Sequence, residues 1–336
     1  MKPVLRISLT AALAATVALP AFADIQSRTF SVSNGVAETH PVADGVAAMQ
    51  ACFDERTDGQ WTLNAFWSSA LGDDLEATQS LRSGTLEMVI TSTSPLVGLE
   101  PALGVFDLPF LFGSNEEADA ILDGEFGAAM SERMEPLGLV NLAYWENGFR
   151  NLTNSARPVD DAEDISGMRV RVMQNQIFLD TFQNLGANAM PMAFGEVFTA
   201  LETGAIDAQE NPYVTIRTSQ FYDVQSYLTE TRHAYTPFMV LFSGPIWQTL
   251  SEEEHEILFA CAEEGRDVQR QVSRERSDEA LEYLRTDGGM QFTELGEEAL
   301  EEIRLAVAPV YERHAATIGP DVVEQMMSAL EAHRNQ

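Results

Sequence analysis

Leu81-Arg82-Ser83-Gly84-Thr85-Leu86-Glu87 and Leu201-Glu202-Thr203-Gly204-Ala205-Ile206-Asp207 follow one pattern, 120 residues apart (201 − 81). Each reads as the end of a helix, a glycine cap, and the start of a strand. Glycine fits there because it enters the left-handed conformation without a Cβ penalty. Before the first copy, Arg28 to Ser33 reads as a strand broken by Asn34-Gly35, and Pro41 opens a helix to about Arg56 with Val46, Met49 and Phe53 at helical spacing. Trp61 to Trp67 reads as a strand, Gly72-Asp73-Asp74 opens a second helix, and Thr85 to Thr91 is the third strand. The order recurs around the second copy: strand Met168–Met173, helix Gln176–Asn184, strand Asn188–Met192, helix Gly195–Thr203, strand Ala205–Ala208. Two β-α-β-α-β units predict an α/β fold of two lobes, with a ligand cleft between them off the carboxyl ends of the strands.

The rest of the chain connects and covers these units. Leu108-Pro109-Phe110-Leu111-Phe112-Gly113 is an apolar run, followed by a helical stretch from Glu116 to Leu137 and a strand from Leu139 to Tyr144. Arg217 to Thr229 predicts a long connecting helix (near 215–230), and Ala234 to Ser243 a strand. From Ser251 the chain is mostly helix, opened by Ser251-Glu252-Glu253-Glu254. The expected organisation is a signal segment over 1–23, lobe one mainly over 24–148, lobe two mainly over 149–240, and a helical part over 241–336 packing across both.

Lys2 and Arg6 precede an apolar run from Ile7 to Phe22, and Ala21-Phe22-Ala23 offers small residues before Asp24. This is the pattern of a cleaved secretory signal, which places the mature chain in the periplasm. The remaining 313 residues (336 − 23) suit two domains. They carry 18 arginines, no lysine and 52 acidic residues, a formal charge of 18 − 52 = −34. Such a surface repels nucleic acid and anionic lipid, so an anionic ligand would need a local cluster of arginines. Lysine-dependent chemistry is excluded with the lysines. Cys52 and Cys261 stand far apart, each within a helical pattern. Export permits a disulfide, and two buried free thiols are the expectation.

Arg169 and Arg171 lie two apart on one strand and share a face. Arg171 is nearer the carboxyl end, where a guanidinium can take a carboxylate in bidentate fashion. Asn211 ends a strand before Pro212 and could add a second bond. Phe194 could pack on a carbon skeleton. In Tyr144-Trp145-Glu146-Asn147-Gly148-Phe149-Arg150, Arg150 is a second carboxylate donor and Glu146 an acceptor for hydroxyls. The five histidines form no metal-spaced pair, and no nucleophile elbow or dinucleotide loop is present, so neither metal nor cofactor is expected. A periplasmic hydrolase with two carboxylates in one cleft ranks below binding.

Several motifs resemble the periplasmic solute-binding proteins of tripartite ATP-independent periplasmic (TRAP) transporters, the dicarboxylate-binding DctP-like family. They are Ser68-Ser69-Ala70-Leu71-Gly72, Leu108-Pro109-Phe110-Leu111-Phe112, Gly167-Met168-Arg169-Val170-Arg171-Val172, Pro191-Met192-Ala193-Phe194-Gly195-Glu196-Val197-Phe198 and Asp207-Ala208-Gln209-Glu210-Asn211-Pro212. The resemblance implies a two-lobed fold closing on its ligand, with a long helix bridging the lobes. It implies that Arg171 forms a salt bridge to a ligand carboxylate, assisted by Asn211 and Arg150, with Phe194 packing on the ligand. It places Asn34 (or Ser33), Asp74, Ser92 and Gln174 where they tune the rest of the pocket, and His40 joins the expected contacts. The sialic-acid-binding member has an acid where Ser92 stands. The stretch Leu142–Arg150 with Thr153-Asn154-Ser155 looks most like members that take sugar acids (uronate, aldonate or diketogulonate). A C4-dicarboxylate or a short hydroxy- or keto-acid is the alternative. Implied partners are the small and large TRAP membrane subunits, and the chain is expected to be a monomer.

Overall fold

The computed structural model describes residues 25–335, so the expected signal segment over 1–23 lies outside the described residues. The strands, in chain order, are β1 (Arg28–Asn34), β2 (Trp61–Phe66), β3 (Met88–Ser92), β4 (Leu139–Phe149), β5 (Asn151–Asn154), β6 (Arg169–Val172), β7 (Asn188–Pro191), β8 (Ala208–Asn211), β9 (Tyr227–Glu230), β10 (Tyr235–Ser243) and β11 (Gln291–Glu294). They form two sheets, ordered β2-β1-β3-β10-β4 and β11-β9-β5-β8-β6-β7. Within the first, β1 pairs parallel with β2 and β3; within the second, β6 pairs parallel with β7 and β8. In both units the first strand is therefore flanked by its second and third, and the sequence repeat is a topological repeat.

The two repeat glycines close their helices in the same way. Gly84 has φ +75° and Gly204 φ +66°. The Thr85 N–H reaches back to the Ser80 carbonyl, and the Ala205 N–H to the Ala200 carbonyl, 3.0 and 2.9 Å. These are bonds of the Schellman type. They consume the residues just after each glycine, so β3 and β8 each start three residues later than the sequence pattern suggested, at Met88 and Ala208.

Two strand pairs cross from sheet to sheet. β4 ends at Phe149 in the first sheet and the chain re-enters at Asn151 as β5 of the second; β9 in the second sheet returns as β10 in the first. The Arg150 N–H donates to the Ala234 carbonyl between these crossings, 2.9 Å. A third crossing is a helix of 34 residues, Glu252–Arg285, about 51 Å long at 1.5 Å per residue. Its start is a capping box, Ser251 with Glu254.

Three local expectations are corrected. The long connecting helix is this one and not residues 215–230. There a helix spans only Tyr213–Thr218, Gln220 turns left-handed (φ +57°), and Tyr227–Glu230 pairs as β9. Tyr227, Leu228 and Thr229 are strand-favouring residues beside a sheet that needs them. The stretch 116–137 is two short helices, Asn115–Leu122 and Glu125–Glu132, parted at Gly124, where a Cβ would stand 2.6 Å from the Ala120 carbonyl oxygen. Cys52 and Cys261 are not free thiols. They form a disulfide, Cα–Cα 5.4 Å, which ties helix Val42–Arg56 to the long helix.

These two helices approach closely because Gly45 and Gly265 leave room for the Trp145 ring, 2.6 and 2.7 Å from where their Cβ atoms would be. Trp145 is fully buried, and its Nε1–H donates to the Ala262 carbonyl, 3.0 Å. Phe30, Phe53, Trp61 and Phe242 fill the same face of the first sheet edge to face. β4 is thus packed against the long helix on its way to the cleft residues at its far end.

Candidate ligand-binding site

Between the sheets lies a small cavity of about 40 Å³. Gly35, Val36, Asp74, Ile90, Ser92, Asn147 and Phe238 line it from the first sheet and its connections, and Arg171, Met173, Phe194, Asn211 and Thr215 from the second, with Arg150 at the crossing. Arg171, Asn211, Arg150, Phe194, Asp74 and Ser92, six of the ten residues expected from the sequence, meet here.

Arg171 stands at the carboxyl end of β6, 3% exposed. Its Nε and Nη2 donate to the Met192 carbonyl at 3.0 and 2.7 Å, while Nη1 is buried with no partner among the described residues. The guanidinium lies 5.9 Å from the centroid of the Phe194 ring, within reach of a cation–π contact. Burial pulls its pKa down to about 10, against the opposing fields of Glu210, Asp74 and Glu196. It is a charged group with an open donor. Arg169, on the same strand, is half-exposed and bound to Asp207 through Nε and Nη2.

Arg150 is different. It is fully buried and its Nε and Nη2 grip both carboxylate oxygens of Glu210; Nη2 also reaches the Asn211 Oδ1 at 3.1 Å and Nη1 the Thr236 Oγ1 at 3.3 Å. Burial would push the Glu210 carboxyl up, but Arg150 and then His233 overcome it and hold it at about 2. His233 bonds Glu210 Oε2 at 3.0 Å. Asn211 donates to Gln209 Oε1 at 2.6 Å, so this amide is fixed from both sides. The charge of Arg150 is locally cancelled, and that of Arg171 is not.

Asp74 begins the helix Asp74–Arg82 and turns its carboxylate inward, 3.6 Å from where a Gly35 Cβ would be. Burial raises its pKa, opposed by the Thr91 hydroxyl and by Arg171. Ser92 Oγ and Asn147 Oδ1 are buried without partners among the described residues. The Asn147 amide nitrogen donates to Thr236 Oγ1 at 3.1 Å, which turns its oxygen away from that bond.

The other four expected residues lie outside the lining. Glu146 precedes Asn147 on β4, where the register against β10 is irregular: Gly148 pairs with Thr236, Glu146 with Pro237, and Asn147 is left as the extra residue. Asn147 takes the cavity, while Glu146 pairs with Arg274 at 2.8 Å. Asn34 spends its side chain on the Ile90 carbonyl and the Val36 N–H, 2.8 and 2.7 Å. His40 is buried behind the wall, 3.2 Å from Thr215 Oγ1. Gln174 is half-buried. Asn147, Thr215, Met173 and Phe238 were not singled out from the sequence. No local signal marked Asn147, because the irregular register of β4 against β10 that aims it is set by the partner strand.

A family model described as bacterial extracellular solute-binding protein, family 7 (DctP), matches residues 32–317. The chain belongs to this family. The 2,3-diketo-L-gulonate-binding periplasmic protein of Escherichia coli K12 is 35% identical over 248 residues, covering 74% of this chain and 76% of that protein. The sugar acid binding protein of Advenella mimigardefordensis, solved with galactonate, is 42% identical at a TM-score of 0.90, covering 92% of this chain and 99% of that one. A TRAP periplasmic solute-binding protein of a Sulfitobacter, solved with β-D-galacturonate, is 30% identical at a TM-score of 0.84, covering 92% and 100%. The expected two-lobed architecture with a long bridging helix, and the expected place among TRAP solute-binding proteins, both hold. The family 7 members compared are transport proteins rather than enzymes. Among the described residues no helix is long and apolar enough to cross a membrane.

Proposed function

We propose that this family 7 protein captures a sugar acid of the uronate, aldonate or diketogulonate type in the periplasm and delivers it, as a monomer, to the small and large TRAP membrane subunits. The observation that carries the reading is the buried, unpartnered Nη1 of Arg171 in the cavity wall. A buried donor without a partner is costly, and a ligand carboxylate removes that cost with a charge-assisted bond. Asn211 and Arg150 shape the same corner, and Phe194 offers an apolar face to the carbon skeleton. The relatives named above are a diketogulonate-binding protein and proteins solved with galactonate and galacturonate, which supports the same class here.

The rest of the lining favours hydroxyl groups over a second carboxylate. Asp74 and the Asn147 oxygen are acceptors, and Ser92 can both donate and accept. A dicarboxylate would set its second charge against Asp74 with Arg150 already paired to Glu210. Among the described residues Asp74 is the sole carboxylate in the lining, which does not favour the paired acids of a glycosidase. The test is a thermal-shift screen of galactonate, galacturonate, glucuronate and succinate, followed by analysis of the recovered ligand. A sugar acid giving the largest shift and recovered unchanged is expected. A larger shift with succinate than with every sugar acid, or turnover of the ligand, overturns the reading.

A further inference from the structure

His40 and Thr215 come from opposite sides of the cleft. His40 precedes the helix Val42–Arg56 on the side of the first sheet, and Thr215 lies on the helix Tyr213–Thr218 that follows β8 of the second. Both are buried, and His40 Nε2 lies 3.2 Å from Thr215 Oγ1. The other ring nitrogen, Nδ1, accepts the Val42 backbone N–H at 3.3 Å. An imidazole nitrogen that accepts carries no proton, so in the neutral ring the proton is on Nε2. Burial, and secondarily the charge of Arg276, keeps this ring neutral, with a pKa pulled down to about 3. Nε2–H therefore donates and Thr215 Oγ1 accepts.

That direction settles what Thr215 can offer. A hydroxyl that accepts from His40 still has its own proton to give. A helical threonine usually gives it back to its helix, as Thr218 does to the Val214 carbonyl at 2.8 Å. Thr215 makes no such bond among the described residues, and it lines the cavity.

We infer that the His40–Thr215 pair is a specificity-determining hydroxyl donor, formed across the cleft, that reads an oxygen atom on the carbon chain of the ligand. The inference rests on the sugar-acid reading of the cavity and adds one contact to it. His40 is the positioning residue and Thr215 the contact. A ligand without oxygen at that position leaves a buried donor unpaired, which lowers affinity roughly tenfold to a hundredfold. Because the two residues belong to different lobes, the donor is oriented only when the lobes meet, which couples recognition of a hydroxylated chain to closure.

The experiment is calorimetric titration of galactonate and galacturonate into wild type, Thr215→Val, Thr215→Ser and His40→Phe, with the melting temperature of each ligand-free protein. Thr215→Val keeps the shape and removes the hydroxyl; Thr215→Ser restores it. Expected is a loss of roughly tenfold or more for Thr215→Val on the sugar acid that wild type binds and recovery to within about threefold for Thr215→Ser; without ligand, Thr215→Ser melts as wild type and Thr215→Val a few degrees lower, because the buried His40 Nε2–H loses its acceptor. His40→Phe should lose as much as Thr215→Val, with no further loss in the double variant. Equal affinity of wild type and Thr215→Val, or a Thr215→Ser as weak as Thr215→Val, overturns the inference while leaving the sugar-acid reading intact. Binding of neither sugar acid to wild type overturns both.

Discussion

Replacing Arg171 with methionine should separate binding from stability. The guanidinium is buried, and its pKa is pulled down to about 10, which corresponds to a penalty of about 3 kcal/mol on the charged form. Against this stand two bonds to the Met192 carbonyl, worth about 1–3 kcal/mol each. The terms nearly cancel, and methionine fills much of the same volume. The ligand-free variant should thus lie within about 1–2 kcal/mol of wild type, a shift of a few degrees at this chain length. Binding responds differently. Removing one partner of a desolvated charged pair costs about 3–5 kcal/mol, or roughly a hundredfold to several thousandfold in Kd. At a ligand concentration about a thousand times the wild-type Kd, wild type gains about 4 kcal/mol of stability. A variant weakened a hundredfold gains about 1.4 kcal/mol at that concentration, and one weakened further gains less. Thermal melts with and without galactonate or galacturonate measure both quantities. A variant that keeps the full ligand-induced shift refutes the role given to Arg171. One that loses several kcal/mol without ligand shows Arg171 to be a structural bond to Met192 instead.

Glu210→Gln leaves the Arg150 charge without its buried partner and should cost about 3–5 kcal/mol in urea denaturation. In wild type the same carboxyl, held at about 2, gives stability that is present above its ordinary value and lost as pH falls toward 2. Asp107 has the opposite sign. Burial raises it to about 7, so the folded chain holds a proton that the unfolded chain releases, and this group makes stability fall as pH rises from about 4 to 7. Asp107→Asn keeps the shape beside Ser94 and Asn175 and should flatten the pH dependence of stability in that window relative to wild type. Reducing the Cys52–Cys261 bond frees a loop of 209 residues; chain entropy sets a loss of about 5 kcal/mol, with 2–5 expected in denaturation under reducing conditions.

How far the chain could be read without coordinates depended on whether the signal was local. Gly84 and Gly204 are local: a cap glycine needs a few neighbours, and both appear with positive φ where the repeat put them. The capping box at Ser251 is local too, yet its helix runs on for 34 residues because no proline or paired glycines interrupt it before Gly288-Gly289. Tyr227–Glu230 is a strand and not part of a helix because it pairs with β5 and β11, partners far away in sequence. The disulfide was illegible for the same reason: 209 residues separate its ends, and only packing of the two helices brings them together. In the cavity, residue type found the arginines and Asp74. It could not choose between Glu146 and Asn147, because the two differ in which side of β4 they face.

Arg169 and Arg171 show why the charge of the cavity cannot be counted from composition. They share a strand and a residue type, yet Asp207 takes the first at the surface and the second stays open inside. Arg150 adds a second cation to the lining, and Glu210 cancels it at contact distance with neither group exposed. Among the described residues the cavity therefore offers one open positive charge, although two arginines border it. On a chain of formal charge −32 that count matters. Screening over about 8 Å removes most of the distant repulsion from solvent-exposed acids but little of what acts inside a buried site. One open charge balances one carboxylate. A second carboxylate would face Asp74 with no free cation, at a cost that a ligand hydroxyl set against Ser92 Oγ or the Asn147 amide does not incur. Preference for a singly charged, hydroxylated acid over a dianion should thus follow Glu210 as much as Arg171. A Glu210→Gln protein that still folds should narrow that preference by freeing the charge of Arg150. Calorimetric affinities for galacturonate and succinate measure the ratio, and a ratio unchanged from wild type would show that the pairing of Arg150 with Glu210 has no part in selectivity.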